Sequence, residues 1–227
     1  MKINSFYKNR YDNNIWNSMC LSTWQQFTYN DIIKEINWKN NLNILEVWVW
    51  PYWMIFKLKK EFKNHNYLWI DLDYNVLNYL NNNDFKWINN DISSDKIDLN
   101  DNSIDIVIFN EVIEHIFDCQ HSINEIYRIL KKGWKLYIST HNSFNFFMRL
   151  KYFLWNIPAT SLDVTSSTMW EHIRLFNKYI LLKLLNKWWF QNKDIINKSW
   201  FKLWRLSFYT KKFTGLLSIH LYFICKK

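Results

Sequence analysis

Apolar runs alternate with stretches of helical spacing through the middle of the chain, and this alternation most narrows the folds open to it. Residues 42–48, 67–71, 86–89, 104–109 and 134–140 read as strands. Residues 52–64, 74–82 and 121–131 repeat apolar side chains at helical intervals. Strand and helix in turn predict an α/β domain on a mostly parallel sheet, because parallel neighbours need a crossover long enough to hold a helix. A short leading helix is expected over 30–38. From Glu171 to Trp188 the residues Ile173, Phe176, Ile180, Leu181, Leu184 and Leu185 recur at helical spacing, and Leu216 to Cys225 reads as a terminal strand. Residues 141–170 fit no repeat and are rich in Phe, Tyr, Ser and Thr. After a sheet strand such an insertion serves as a substrate lid or as a structural excursion.

Fifteen Trp and two Gly in 227 residues bear directly on the turns of such a sheet. An ordinary chain of this length carries roughly 16 Gly. In Asn43 to Phe56, NILEVWVWPYWMIF, a strand pattern runs into Trp48, Trp50 and Trp53. With those three read as Gly the string is LEVGVGPYG, a strand entering a Gly-rich turn that opens a helix, the arrangement that brings backbone close to a nucleotide. Two explanations compete. Either the gene belongs to a lineage that reads UGA as Gly and was translated with UGA as Trp, or the protein is Trp-rich and the spacing is chance. Abundant Asn, Lys and Ile point to an AT-rich gene, in which UGA is a frequent codon. The same substitution repairs further motifs at Trp69 and Trp134, so the recoding is favoured. UGG codons at these five positions would dismiss it.

The length fits a single domain over 1–227, divided into an N-terminal helical arm (1–40), a core (42–140), the insertion (141–170) and a C-terminal helix with strands (171–227). The net charge of +9 comes mostly from Lys in ones and twos, such as Lys59-Lys60, Lys131-Lys132 and Lys211-Lys212. That is a solvated surface rather than a nucleic-acid footprint, which wants clustered basic residues among aromatics, so no nucleic acid is expected. Cys20, Cys119 and Cys225 are odd in number and far apart, which fits a reducing compartment. The start lacks the apolar stretch of a secretion signal and no run of 18 apolar residues occurs, so a cytoplasmic protein without a membrane span is expected.

Glu46 stands two residues before Trp48, giving E-x-G-x-G once the Trp are read as Gly. This resembles the first motif of class I S-adenosylmethionine-dependent methyltransferases. The turn there passes beneath the methionine part of the cofactor, so Trp48, Trp50 and Trp53 would occupy cofactor-binding positions and Glu46 would help hold the ligand. YLWIDLD, with Trp69 as Gly, is close to the family's second motif, and the resemblance gives Asp71 the ribose hydroxyls, with Asp73 as a helix cap. Asn90-Asp91-Ile92 resembles the adenine-contacting motif, with Asp91 facing the exocyclic amine. The string DNSIDIVIFNEVIEHI is similar to the fourth-strand motif of the type 11 group, strand followed by E-x-x-E-H, and sets Asn110 and Glu111 beside the cofactor. Glu111, Glu114 and His115 are read first as an acidic helix start with a His beside the cleft. No metal is therefore assigned, and these three are the candidates if one is held. RILKKGWKLYIST resembles the family's helix, turn and fifth strand, and MWEHIRLF its G-E-H-x-R-x-F segment, in which His172 and Arg174 face the substrate or serve structure.

The resemblance spans residues 42–225. It implies a Rossmann-like class I methyltransferase fold, with a seven-stranded, mostly parallel sheet, helices on both faces and an antiparallel edge. It implies S-adenosyl-L-methionine as cofactor, a small-molecule acceptor and direct methyl transfer, with His115 the first residue to test as general base. Two alternatives stand beside it: a catalytically dead relative, if the Trp are real, and an NAD(P)-dependent oxidoreductase on a related sheet.

Overall fold

A computed structural model describes residues 21, 23–47, 54–72, 86–154, 172–186, 190, 195–203, 206–210, 216 and 218–227. Within them the strands are β1 (Asn43–Val47), β2 (Asn66–Asp71), β3 (Lys86–Asn89), β4 (Ile104–Asn110), β5 (Leu130–His141), β6 (Ile195–Leu203), β7 (Leu206–Thr210) and β8 (His220–Lys226). The helices are α1 (Thr23–Ile36), α2 (Met54–Glu61), α3 (Cys119–Ile129), α4 (Phe146–Phe153) and α5 (Lys178–Asn186), with a 3₁₀ turn over Ile113–His115. All eight strands form one sheet in the order β3-β2-β1-β4-β5-β8-β6-β7. β1 to β5 are mutually parallel, and β8 runs antiparallel between β5 and β6.

The sheet holds one strand more than the seven expected. The addition is β7, which pairs antiparallel with β6 at the edge. Helix α1 begins seven residues before the expected 30–38. Of the expected 171–188 helix, residues 178–186 are helical, and α4 lies inside the insertion that showed no repeat. The expected 74–82 helix falls outside the described residues, as do Asp73 and Trp170.

Strand alternation divides the core between two faces. Leu45, Val107, Phe109, Leu136, Ile138, Leu221 and Phe223 pack with Ile123, Ile126 and Ile129 of α3 and with Leu181 and Leu185 of α5. Ile44, Ile106, Ile108, Tyr137 and Ile224 pack on the other face with Tyr29, Ile32 and Ile36 of α1 and with Met54, Ile55 and Leu58 of α2. Helix α3 starts where the Asp118 side chain accepts the His121 N–H at 2.9 Å, a helix N-cap. Beyond it, Gly133 turns the chain at φ +86°, a left-handed backbone that suits glycine. Asp105 on β4 accepts the Asn43 N–H at 2.8 Å and the Lys131 ammonium at 2.8 and 2.9 Å, locking the lower ends of three adjacent strands.

Two of the marked Trp can be followed directly. Trp69 is fully enclosed, edge-on to Phe56 at 5.5 Å. Trp134 is half-buried under the Lys39 ammonium, 4.4 Å from the ring centre. Both lie on strands with ordinary backbone, so neither position demands glycine on conformational grounds. Trp48, Trp50 and Trp53 lie outside the described residues.

Candidate functional site

The carboxyl ends of β1, β2, β3 and β4 open on one cleft of about 200 Å³, lined in part by Val47, Ile70, Asp71, Asp91, Ile92 and His115. Clefts at this end of a parallel sheet are where such folds bind ligands. Asp71 is buried at the tip of β2, and its carbonyl accepts the Asn90 N–H at 3.4 Å. Asp91 folds over an Asx turn, one carboxylate oxygen accepting the Ser93 N–H at 2.9 Å and the Ser93 hydroxyl at 2.7 Å. Val112, Ile116 and Phe117 complete an apolar wall.

Glu46 is buried on β1 and accepts the Ile55 N–H at 2.9 Å and the Met54 N–H, bridging the strand to the first turn of α2. It thus fixes both ends of the connection over residues 48–53. Burial pushes its carboxyl up to about 8, against the opposing effect of the two N–H donors. A carboxyl neutral in the fold and ionised in the unfolded chain stabilises at acidic pH, and that stabilisation is lost as pH rises from 4.5 toward about 8. We therefore expect E46Q to flatten the decline in melting temperature between about pH 5 and about pH 8.5, read by thermal unfolding. An unchanged decline would show that Glu46 is ionised throughout.

Asn110 ends β4. Among the described residues, none meets its buried side-chain oxygen or nitrogen, and the same holds for the buried Asn90 Oδ1 on the cleft wall. Buried amides without partners are costly unless a ligand satisfies them. They suit a polar cofactor lying along the strand tips.

A second group of side chains adjoins the cleft. Glu111 follows β4 with φ +52°, and its carboxylate accepts the Ser139 hydroxyl at 2.8 Å. Its other oxygen lies 2.6 Å from His141 Nδ1 and 3.3 Å from His220 Nδ1. Glu114, 1% exposed, accepts the Thr140 hydroxyl at 2.9 Å and lies 3.5 Å from His141 Nδ1 and 3.9 Å from His172 Nε2. His115 is edge-on to His172, ring centres 5.0 Å apart, and connects this group to the cleft. Arg174 donates its backbone N–H to the Glu114 carbonyl and its guanidinium to the Phe117 carbonyl at 2.7 Å.

Burial alone would raise the Glu111 carboxyl, but the His220 and His141 charges and hydrogen bonds hold it well below the usual range. Burial and the charge of Glu111 raise Glu114. Burial opposes charge on His141, yet hydrogen bonds to Glu111 and Glu114 carry it to about 10. His172, pushed down to about 4 by burial and by its neighbour His141, is neutral at neutral pH.

The fold therefore gathers Asp71, Asp91 and His115 around the cleft and sets Glu46 and Asn110 at adjoining strand tips. Glu111 and Glu114 face the histidines instead. Sequence reasoning missed His141 and His220. Their signal was positional: His141 ends the fifth strand, and the antiparallel register sets it opposite His220 on the last.

A family model described as a methyltransferase domain matches residues 53–138. No curated protein matches the chain by sequence. Solved structures do match by fold. A Thermotoga maritima S-adenosylmethionine-dependent methyltransferase, described as a possible histamine N-methyltransferase, superposes with TM-score 0.64 at 14% identity, covering 98% of this chain and 95% of its own. An Archaeoglobus fulgidus S-adenosylmethionine-dependent methyltransferase gives TM-score 0.60 at 14% identity over 89% and 94%. A TehB-like S-adenosylmethionine-dependent methyltransferase from Corynebacterium glutamicum gives TM-score 0.59 at 14% identity over 98% and 97%.

Proposed function

Since the chain has the fold of class I S-adenosylmethionine-dependent methyltransferases and a methyltransferase domain over residues 53–138, we propose that it methylates a small-molecule acceptor by direct transfer. The observation that carries this reading is the cleft itself, with Asp71, Asp91 and apolar walls around it and the unmet Asn90 Oδ1 and Asn110 amide at the strand tips among the described residues. S-adenosylmethionine is the cofactor that fold and domain imply, and when bound it supplies a methyl group activated by a sulfonium.

Asp71 would accept hydrogen bonds from the ribose hydroxyls, and Asp91 would face the adenine amine. Glu46 holds the β1–α2 connection in place for the methionine end. Direct displacement asks the protein mainly to align donor and acceptor, which rigid strand tips do well. For a hydroxyl acceptor His115 takes the proton, its ring braced by the neutral His172. Helix α4 supports the lid reading of 141–170: Phe146, Phe147, Leu150 and Phe153 are all exposed and none of its residues is buried.

The sheet speaks against the oxidoreductase alternative. Dinucleotide-binding sheets of this type continue in parallel beyond the fifth strand, whereas here the antiparallel β8 is inserted beside β5. Incubation of the chain, with Trp48, Trp50 and Trp53 restored to Gly, with S-adenosylmethionine and panels of hydroxyl, amine and carbon acceptors should release S-adenosylhomocysteine, read by mass spectrometry. Binding of a nicotinamide cofactor in place of S-adenosylmethionine would overturn the proposal.

A further inference from the structure

We propose that Glu111, His141 and His220, backed by Glu114 and His172, form a binding site for a first-row divalent transition metal such as zinc. Three strands converge on it. Glu111 follows the end of β4, His141 ends β5, and His220 begins β8 directly opposite His141 in the antiparallel register. His172 arrives from the segment before α5, its ring 4.8 Å from that of His141, and the His141 and His220 rings are 4.3 Å apart.

One ligand atom from each of Glu111, His141 and His220 lies within 4.8 Å of the others, and the same holds for Glu114, His141 and His172. Bonds of about 2.0–2.1 Å to a tetrahedral ion place donors about 3.3 Å apart. Within the donor set His220 Nδ1 lies 3.3 Å from Glu111, while His141 Nδ1 lies only 2.6 Å from the same oxygen, so an ion enters by parting the His141–Glu111 contact through small side-chain rotations rather than a shift of backbone. Two imidazoles and one carboxylate are a borderline donor set, which suits zinc, cobalt, nickel or ferrous iron better than magnesium or calcium. Glu114 is almost wholly buried and accepts the Thr140 hydroxyl, which holds it as a support for His141. The His141 side chain is 44% exposed, leaving an approach for the ion and room for an exogenous ligand beside the three donors.

This donor set differs from the adjacent E-x-x-E-H trio, in which His115 would be a ligand. Here His115 stands outside the ring of donors, edge-on to His172. The proposal stands without reference to methyl transfer, because its readout is metal binding alone.

The test strips the chain with a chelator, then titrates Zn²⁺ by calorimetry and Co²⁺ by its visible ligand-field absorption. One equivalent of each should bind. Losing a side chain that merely supports a metal ligand costs about 10–100-fold in affinity, so removing a donor itself with H141A or H220A should weaken binding by about 100-fold or more. H121A, on the exposed start of α3, and H115A should bind as the parent does. H220N, with circular dichroism, separates loss of a ligand from loss of the fold. Failure of the parent to bind either ion would leave an internal ion-pair network and overturn the proposal. Loss in H115A with retention in H220A would do so equally, by moving the site to the trio.

Discussion

Replacing Trp48, Trp50 and Trp53 together with Gly is expected to tighten S-adenosylmethionine binding by about 100-fold or more. The family resemblance sets these three positions in a turn whose glycines take left-handed backbone, where a non-glycine residue costs roughly 1–2 kcal/mol, so three would cost about 3–6 kcal/mol, or on the order of 10²–10⁴ in affinity. β1 ends at Val47, α2 begins at Met54, and Glu46 ties the strand to the helix through the Met54 and Ile55 N–H groups. Three indoles there also compete for the volume a ligand needs. Calorimetry of both chains with S-adenosylmethionine and S-adenosylhomocysteine checks the expectation, with W38G, at a highly exposed position, as a control for general effects of the substitution. Equal affinities would mean that the turn tolerates Trp and would remove the main reason for reading UGA as Gly.

In the Gly-restored chain, D71A should weaken S-adenosylmethionine by about 100-fold or more, because two charge-assisted hydrogen bonds, each worth about 1.5–3 kcal/mol, are lost together. D71N, which keeps one acceptor, should fall between. Affinity for free adenine should change little, since Asp71 addresses the ribose. If D71A binds S-adenosylmethionine as tightly as its parent, Asp71 is a structural carboxylate and the ribose assignment fails.

The parallel core was readable from its sequence because buried strands carry unbroken apolar runs. Ile106 to Phe109 and Leu136 to Ile138 have no solvent-facing side to interrupt them. The edge was harder. Residues 195–203 and 206–210 mix Lys and Ser among aromatics and give no clean alternation. Helix α4 escaped because its eight residues, FFMRLKYF, are fewer than the roughly 11–18 over which a helical repeat declares itself, and none of them is buried against the core. Among site residues, Asp71 and Asp91 could be placed because each lies within a few positions of its strand. Glu46 could be placed too, but its link to the start of α2 appears only in three dimensions. His141 and His220 are 79 positions apart and meet through strand pairing, which single-residue motifs do not encode.

The insertion of β8 between β5 and β6 sets a timetable for assembly. Until residues 220–226 dock, β5 presents a bare row of backbone donors and acceptors along one flank, and β6 has no neighbour on the inner side. Such unpaired flanks invite pairing with other chains. On the ribosome the first five strands emerge well before the strand that seals them, and closing over that distance is slow. A nascent chain of this kind stays open to aggregation until residues 220–226 have emerged and docked.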